Sequence, residues 1–235
     1  MLKRLAGTLS LLVIFAVLLS GCKPRVYNDG VYKGISTADI HGYAIAEVTI
    51  KKDKIVAVKL SEITEKGEVK DYATYPYPEA KAANETMSRR FVEKNSADVD
   101  TVAKATNSSR KYIEAVKFAL EKAKKRPTVT TKYWNGTFMG ASQKDDRGRG
   151  VAWVTIENDK IVKVELEDVT PEGKFKFKDV GEAYAYPPVL EARDVMERRF
   201  VEANGPNVDT FTGATESSRK WVEAVSNALA NAATR

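Results

Sequence analysis

The chain has 235 residues, 38 of them basic and 32 acidic, with 43% hydrophobic and 30% charged residues, the makeup of one large folded domain or two smaller ones. A single Cys excludes an internal disulfide, thiolate zinc sites, iron–sulfur clusters and c-type haem, and a single His leaves no partner for a His-based metal site or a Ser-His-Asp triad, so no metal is expected. The net charge of +6 falls to +4 once Lys3 and Arg4 are set aside, and it is evenly interspersed, the pattern of a solvated surface rather than of a nucleic-acid partner.

Residues 1–21 read as a lipoprotein signal peptide. Lys3 and Arg4 precede an apolar run from Leu9 to Leu19 of about 11 residues, too short to cross a roughly 30 Å hydrocarbon core as a helix. Leu19-Ser20-Gly21-Cys22 looks like a lipobox, in which small residues fit a peptidase cleft and the Cys22 thiolate accepts a diacylglyceryl group. The mature protein is expected to begin at Cys22, lipid-anchored on the extracytoplasmic face of a bacterial cell membrane, with residues 22–28 as its tether.

The remainder is one module written twice. Asp29-Gly30-Val31-Tyr32-Lys33-Gly34 recurs 106 residues on as Asn135-Gly136-Thr137-Phe138-Met139-Gly140, and Val48-Thr49-Ile50 as Val154-Thr155-Ile156. After a three-residue slip the offset is 109: Tyr77-Pro78 meets Tyr186-Pro187, Arg89-Arg90-Phe91-Val92-Glu93 meets Arg198-Arg199-Phe200-Val201-Glu202, and Ser108-Ser109-Arg110-Lys111 meets Ser217-Ser218-Arg219-Lys220. In each copy two apolar stretches, Ala44 to Ile50 and Lys54 to Leu60 in the first, flank a hairpin signal, Lys51-Lys52-Asp53 or Glu157-Asn158-Asp159. A Tyr/Pro-rich loop leads to a helix, Ala80 to Glu93 or Leu190 to Glu202, and a closing helix presents Ile113, Val116 and Leu120, or Val222, Val225 and Leu229, to the core. Pro127 ends the first closing helix. The reading is α+β: two tandem sheet-and-helix modules, 29–123 and 133–235, joined by a linker at 124–132.

The segment opening each closing helix carries the chemistry. In copy two it runs Asp209-Thr210-Phe211-Thr212-Gly213-Ala214-Thr215-Glu216-Ser217-Ser218. Small residues permit a tight turn, and hydroxyls gather where unpaired amides and the helix dipole favour an anion such as phosphate. Taken alone, the same hydroxyls also suit plain helix caps.

Asp209-x-x-Thr212-Gly213-Ala214-Thr215 resembles the flavinylation motif of the FMN-binding domain family, which includes subunits of the sodium-translocating NADH:quinone reductase and of the Rnf complex, and tandem-domain surface lipoproteins of Gram-positive extracellular electron transfer. The resemblance spans both modules and implies that each is a small FMN-binding module. It further implies that a flavin transferase takes FMN from FAD and esterifies its phosphate to Thr215, with Thr212, Gly213 and Ala214 shaping the turn and Asp209 in the recognised segment. Copy one keeps Asp100, Ala105 and Thr106 but has Ala103 and Lys104 where copy two has Thr212 and Gly213. A position that needs φ > 0 suits Gly better than Lys, so Lys104 is the departure that bears on Thr106. Ser108, Ser109, Ser217 and Ser218 complete the candidate cofactor-binding set.

His41 aligns with Arg147 and reads as a turn histidine; Tyr75, Tyr77, Tyr184 and Tyr186 can stack on a planar ring, although loop and core packing is the simpler role. No nucleophilic or proton-transfer constellation is visible, so the family likeness implies an electron carrier more than a self-contained enzyme. Donors would be quinol-linked dehydrogenases, and acceptors ferric iron or surface carriers. The rival reading is a cofactor-free lipoprotein that binds a peptide, a wall polymer or free flavin.

Overall fold

The computed structural model describes residues 24–180 and 186–235; Cys22 and Tyr184 lie outside them. Each module begins with a three-stranded antiparallel meander, β1 (Gly30–Ile35), β2 (Tyr43–Lys51) and β3 (Lys54–Ile63) in the first, β4 (Gly136–Ala141), β5 (Arg149–Glu157) and β6 (Lys160–Val169) in the second. The hairpin signals become two-residue turns, Lys52-Asp53 and Asn158-Asp159, with all four φ values between 49 and 64°. Both Asp carboxylates also accept main-chain N–H groups from the segment entering their module, Tyr27 and Tyr133 each at 2.9 Å.

Two long helices cover one face of each sheet: α1 (Pro78–Lys94) and α2 (Thr106–Ala123), then α4 (Pro187–Ala203) and α5 (Thr215–Ala232). Pro opens α1 and α4, and Asn95 and Asn204 close them in the left-handed conformation. Those two Asn side chains also cap the hairpins, accepting from Ile55 and Ile161 at 2.7 Å. A short helix, α3 (Lys176–Val180), follows β6 only in the second module among the described residues. None of the described helices is long and apolar enough to cross a membrane.

Gly34 and Gly140 explain how closely the closing helices approach their sheets. A Cβ on either would lie 1.9 or 2.1 Å from a carbonyl of α2 or α5, Ala115 and Ala224 respectively. The core face of each closing helix differs from the expected one by a residue. Val116, Leu120, Val225 and Leu229 are buried, but Ile113 and Val222 are only half-buried. Their neighbours Tyr112 and Trp221 take the centre of the ridge, because the larger ring removes more apolar surface from water.

The modules are packed on one another. The outer face of the second sheet carries Met139, Val151, Trp153 and Val169, and these are buried with Phe175 against Ala38 and Tyr43 of the first module. The Ala38 amide donates to the Thr137 carbonyl across the boundary at 2.8 Å, and Arg149 donates to the Gly67 carbonyl. Burial raises the Tyr43 hydroxyl above its ordinary value, offset in part by a hydrogen bond with Asn231 of the second module. At the other end Phe118 of α2 stacks on Trp134, ring centroids 4.1 Å apart and planes within 4°.

Glu121 pins the linker, accepting from Thr128 Oγ1 at 2.7 Å and from the Thr128 and Val129 amides, beside the Lys124 ammonium at 2.5 Å. Burial alone raises its carboxyl, but the Lys124 contact and the Thr128 and Val129 bonds outweigh it and hold it at about 2, against 4.5 for an ordinary Glu. A depressed carboxylate stabilises the fold above its ordinary value, and that contribution disappears as the pH falls toward about 2. Glu121→Gln is therefore expected to narrow the loss of thermal stability between about pH 7 and about pH 3. Equal acid losses in both chains, measured by calorimetry, would contradict this.

Candidate functional site

Chain direction brings the start of each closing helix to the same end of its sheet as the β1–β2 or β4–β5 loop. Two cavities result, one per module, of about 480 and 490 Å3. The first is lined by Lys104, Ala105, Thr106, Asn107 and Ser108 at the helix start, His41 and Lys111 on the loop side, and Lys70, Tyr75, Tyr77 and Ala80 from the segment between β3 and α1 and the start of α1. The second repeats it with Gly213, Ala214, Thr215, Glu216 and Ser217, then Arg147 and Lys220, then Asp168, Lys176, Tyr186 and Val189.

Thr106 and Thr215 are the first residues of α2 and α5, and both border a cavity. They are not the caps. Ala105 and Ala214 hold the N-cap positions, and neither makes a side-chain cap bond. Among the described residues nothing hydrogen-bonds either Thr hydroxyl. The plain-cap role falls instead to a different part of the motif. Ser109 and Ser218 are fully buried, donate to the Ala105 and Ala214 carbonyls at 2.8 Å, and accept the Val102 and Phe211 amides at 3.0 and 3.1 Å. These two serines brace the turn from behind, while Ser108 and Ser217 face the cavities.

Gly213 has φ +89°, and Lys104 occupies the corresponding place at +64°. The first module thus keeps the turn despite the substitution. A left-handed Lys costs about 1 kcal/mol, which the ion pair to Glu79 at 3.8 Å, both partners exposed, does little to offset. Lys104→Gly is expected to stabilise the first module by about 0.5–1 kcal/mol in urea unfolding, and an unchanged midpoint would contradict that.

Asp100 and Asp209 lie outside both cavities, as does exposed Thr212. Their main chain is fixed by the preceding helix: Arg90 and Arg199 each donate to the Asp100 or Asp209 carbonyl at 2.7 Å. The aromatic loop residues read mainly as packing have a different place. Tyr75, Tyr77 and Tyr186 border the cavities, and Tyr186 donates to the Gly213 carbonyl at 2.9 Å. His41 and Arg147 are exposed on equivalent turns. Asp39 or Asp145 accepts the His41 or Arg147 amide, and Lys111 or Lys220 ties that carboxylate to the closing helix.

One element of the cavities carried no weight in the sequence. Lys70 meets Glu62 at 2.6 Å, and Lys176 meets Asp168 at 3.3 Å. Both carboxylates are 2% exposed. The signal was present, since Lys70/Lys176 and Glu62/Asp168 both recur at the 106-residue offset. Burial tends to lower the Lys70 ammonium, but Glu62 outweighs it and leaves Lys70 above its ordinary value. Ser217 donates to Asp168 Oδ2 at 2.8 Å, linking the helix start to this pair. Behind Lys70, Tyr112 and Tyr72 share a hydrogen bond of 2.7 Å, and burial first, then the Glu62 charge, pushes the Tyr112 hydroxyl upward.

A duplicated α+β module with an open helix start, a basic cavity and aromatic walls defines a binder of a phosphorylated planar ligand. The sequence profile described as the FMN-binding domain matches residues 40–121 and 148–230, and the chain belongs to that family. It is an FMN-binding protein with two tandem copies of the domain. No curated protein matches the chain. Among solved structures it is similar to the CPE2226 protein of Clostridium perfringens at 19% identity and a TM-score of 0.36, covering 43% of this chain and 88% of that one.

Proposed function

We propose that the chain is a lipid-anchored extracytoplasmic electron carrier whose two modules hold FMN through phosphoester bonds to Thr106 and Thr215. The observation that carries the covalent part is that each Thr stands at a helix start, beside a cavity, with its hydroxyl committed neither to capping nor to any described partner. The donor set fits the cofactor. Main-chain amides at the helix start and the Lys and Arg side chains suit a phosphate, and Tyr75, Tyr77 and Tyr186 suit a ring. A flavin accepts and releases one or two electrons; the chain holds it, orients it and sets its electrostatic surroundings.

Tethering at both ends has a physical purpose in this reading. Acylation of Cys22 keeps the protein at the cell membrane, and a phosphoester prevents loss of the flavin to the medium. A flavin transferase is the required maturation partner. Quinol-linked dehydrogenases are the proposed donors, and ferric iron or surface carriers the proposed acceptors.

The test is the intact mass of the chain produced with and without an active flavin transferase. Two increments of FMN less water are expected, only when the transferase is present. One increment, mapped to Thr215, would remove the first module from the carrier role. A chain without increments in the presence of an active transferase would end the covalent reading.

A further inference from the structure

The two Lys–carboxylate pairs are the most costly feature of the cavities. A carboxylate shut away from water needs compensation at both oxygens. Glu62 and Asp168 have it at only one. Glu62 Oε1 and Asp168 Oδ1 are buried without a hydrogen-bond partner among the described residues, while the other oxygen engages Lys70 or Lys176. The arrangement occurs in both modules at equivalent positions, although the surrounding residues differ. Tyr72, Tyr75 and Tyr112 lie about it in the first, and Ser217 donates to its carboxylate in the second. Neither pair is needed for the hairpin, which is closed by Asn95 or Asn204, nor for the loop, which is held by Lys111 or Lys220.

Position gives the pairs a use. Each lysine lines the same cavity as the helix start but comes from the segment after β3 or β6, so a ring whose phosphate sits at Thr106 or Thr215 shares its cavity with that charge. Lys70 also lies 3.8 Å from the centre of the Tyr75 ring, on the aromatic side of its cavity. Two electrons taken up with one proton leave a flavin ring with one negative charge that the oxidised ring lacks. A fixed cation nearby favours that form and a fixed carboxylate opposes it, most strongly where water is excluded.

We propose that Lys70 and Lys176, each restrained by its buried carboxylate, set the reduction potential of the flavin in their own cavity, the lysine raising it and the carboxylate lowering it. The inference rests on the FMN reading of the cavities. Lys111 and Lys220 do not share the role, because their carboxylate partners Asp39 and Asp145 are solvent-exposed and their ammonium groups are occupied by the loop carbonyls.

The test uses the full-length chain in detergent, loaded by a flavin transferase and titrated spectroscopically with dithionite, which supplies the electrons while buffer supplies the proton. Thr106→Val and Thr215→Val backgrounds leave one loaded cavity each. Lys70→Met or Lys176→Met is expected to shift the potential of its own cavity downward, Glu62→Gln or Asp168→Asn to shift it upward, and Lys→Arg to restore it. Lys94→Met, the same charge change outside both cavities, is expected to leave both potentials in place. A role confined to packing cannot give opposite signs for the two halves of one pair. Potentials that stay fixed, or that move in one direction for both halves, overturn the proposal while leaving the FMN reading intact. Parent chains that take up no flavin overturn both. Should a lysine variant fail to fold, the carboxylate variant and the Arg variant decide the sign.

Discussion

A Thr215→Val chain is expected to lose one increment of FMN less water and to keep its stability. The two outcomes together separate the attachment reading from the capping one. Val has nearly the shape of Thr, so the start of α5 keeps its packing while the hydroxyl disappears. If that hydroxyl were a cap, its loss would cost about 1 kcal/mol. The cap position belongs to Ala214, and the turn is braced by Ser218, so the stability change should stay within about 0.5 kcal/mol. Covalent flavin, by contrast, falls by the whole second-module share, because no neighbouring hydroxyl stands in the same place: Ser217 is committed to Asp168. Thr215→Ser retains the hydroxyl and should retain flavin. The pair of measurements is intact mass and a urea midpoint. Unchanged FMN with a midpoint lowered by about 1 kcal/mol would return Thr215 to an ordinary capping role.

Much of this site was legible before the fold. The duplication exposed the module, the hairpin residues specified the turns, and the motif pointed to Thr106 and Thr215. Those signals are local: each depends on a few adjacent residues whose φ, capping or periodicity requirements survive in any context. The Lys70–Glu62 and Lys176–Asp168 pairs were not legible in that way. A Lys and an acid eight residues apart look like surface charges, and only the return of the chain at Ile63–Val69 and Val169–Phe175 brings them together and buries them. Which serine of each pair faces the cavity was not legible for a related reason. Ser217 and Ser218 are adjacent in sequence, but on a helix adjacent residues point about 100° apart, so one faces the cavity and the other the core.

Trp153→Ala is expected to uncouple the two modules. The outer face of β5 shows why the second module depends on the first. In β2 the buried Ala44, Ala46 and Val48 alternate with the half-buried Ile45 and the exposed Glu47, so the outer face carries a charge at its centre. In β5 the corresponding run is Gly150, Val151, Ala152, Trp153 and Val154, apolar on both faces, and Trp153 replaces Glu47. That continuous run is the trace in the sequence that the second sheet is covered twice, by its own helices and by the first module. Trp153 pairs across the ladder with Met139, lies 6.5 Å from the Phe175 ring, and has the Lys178 ammonium 4.3 Å above it. Truncating a buried Trp costs about 3–5 kcal/mol, and here the cavity opens inside the layer shared with Ala38 and Tyr43. The first module keeps its own core, so its midpoint should move little, while the second should melt earlier and separately. Calorimetry of the wild type should give one transition and the variant two. A single transition at an unchanged temperature in the variant would mean that the interface contributes nothing to folding, and that the two FMN cavities are joined only through the linker that Glu121 pins.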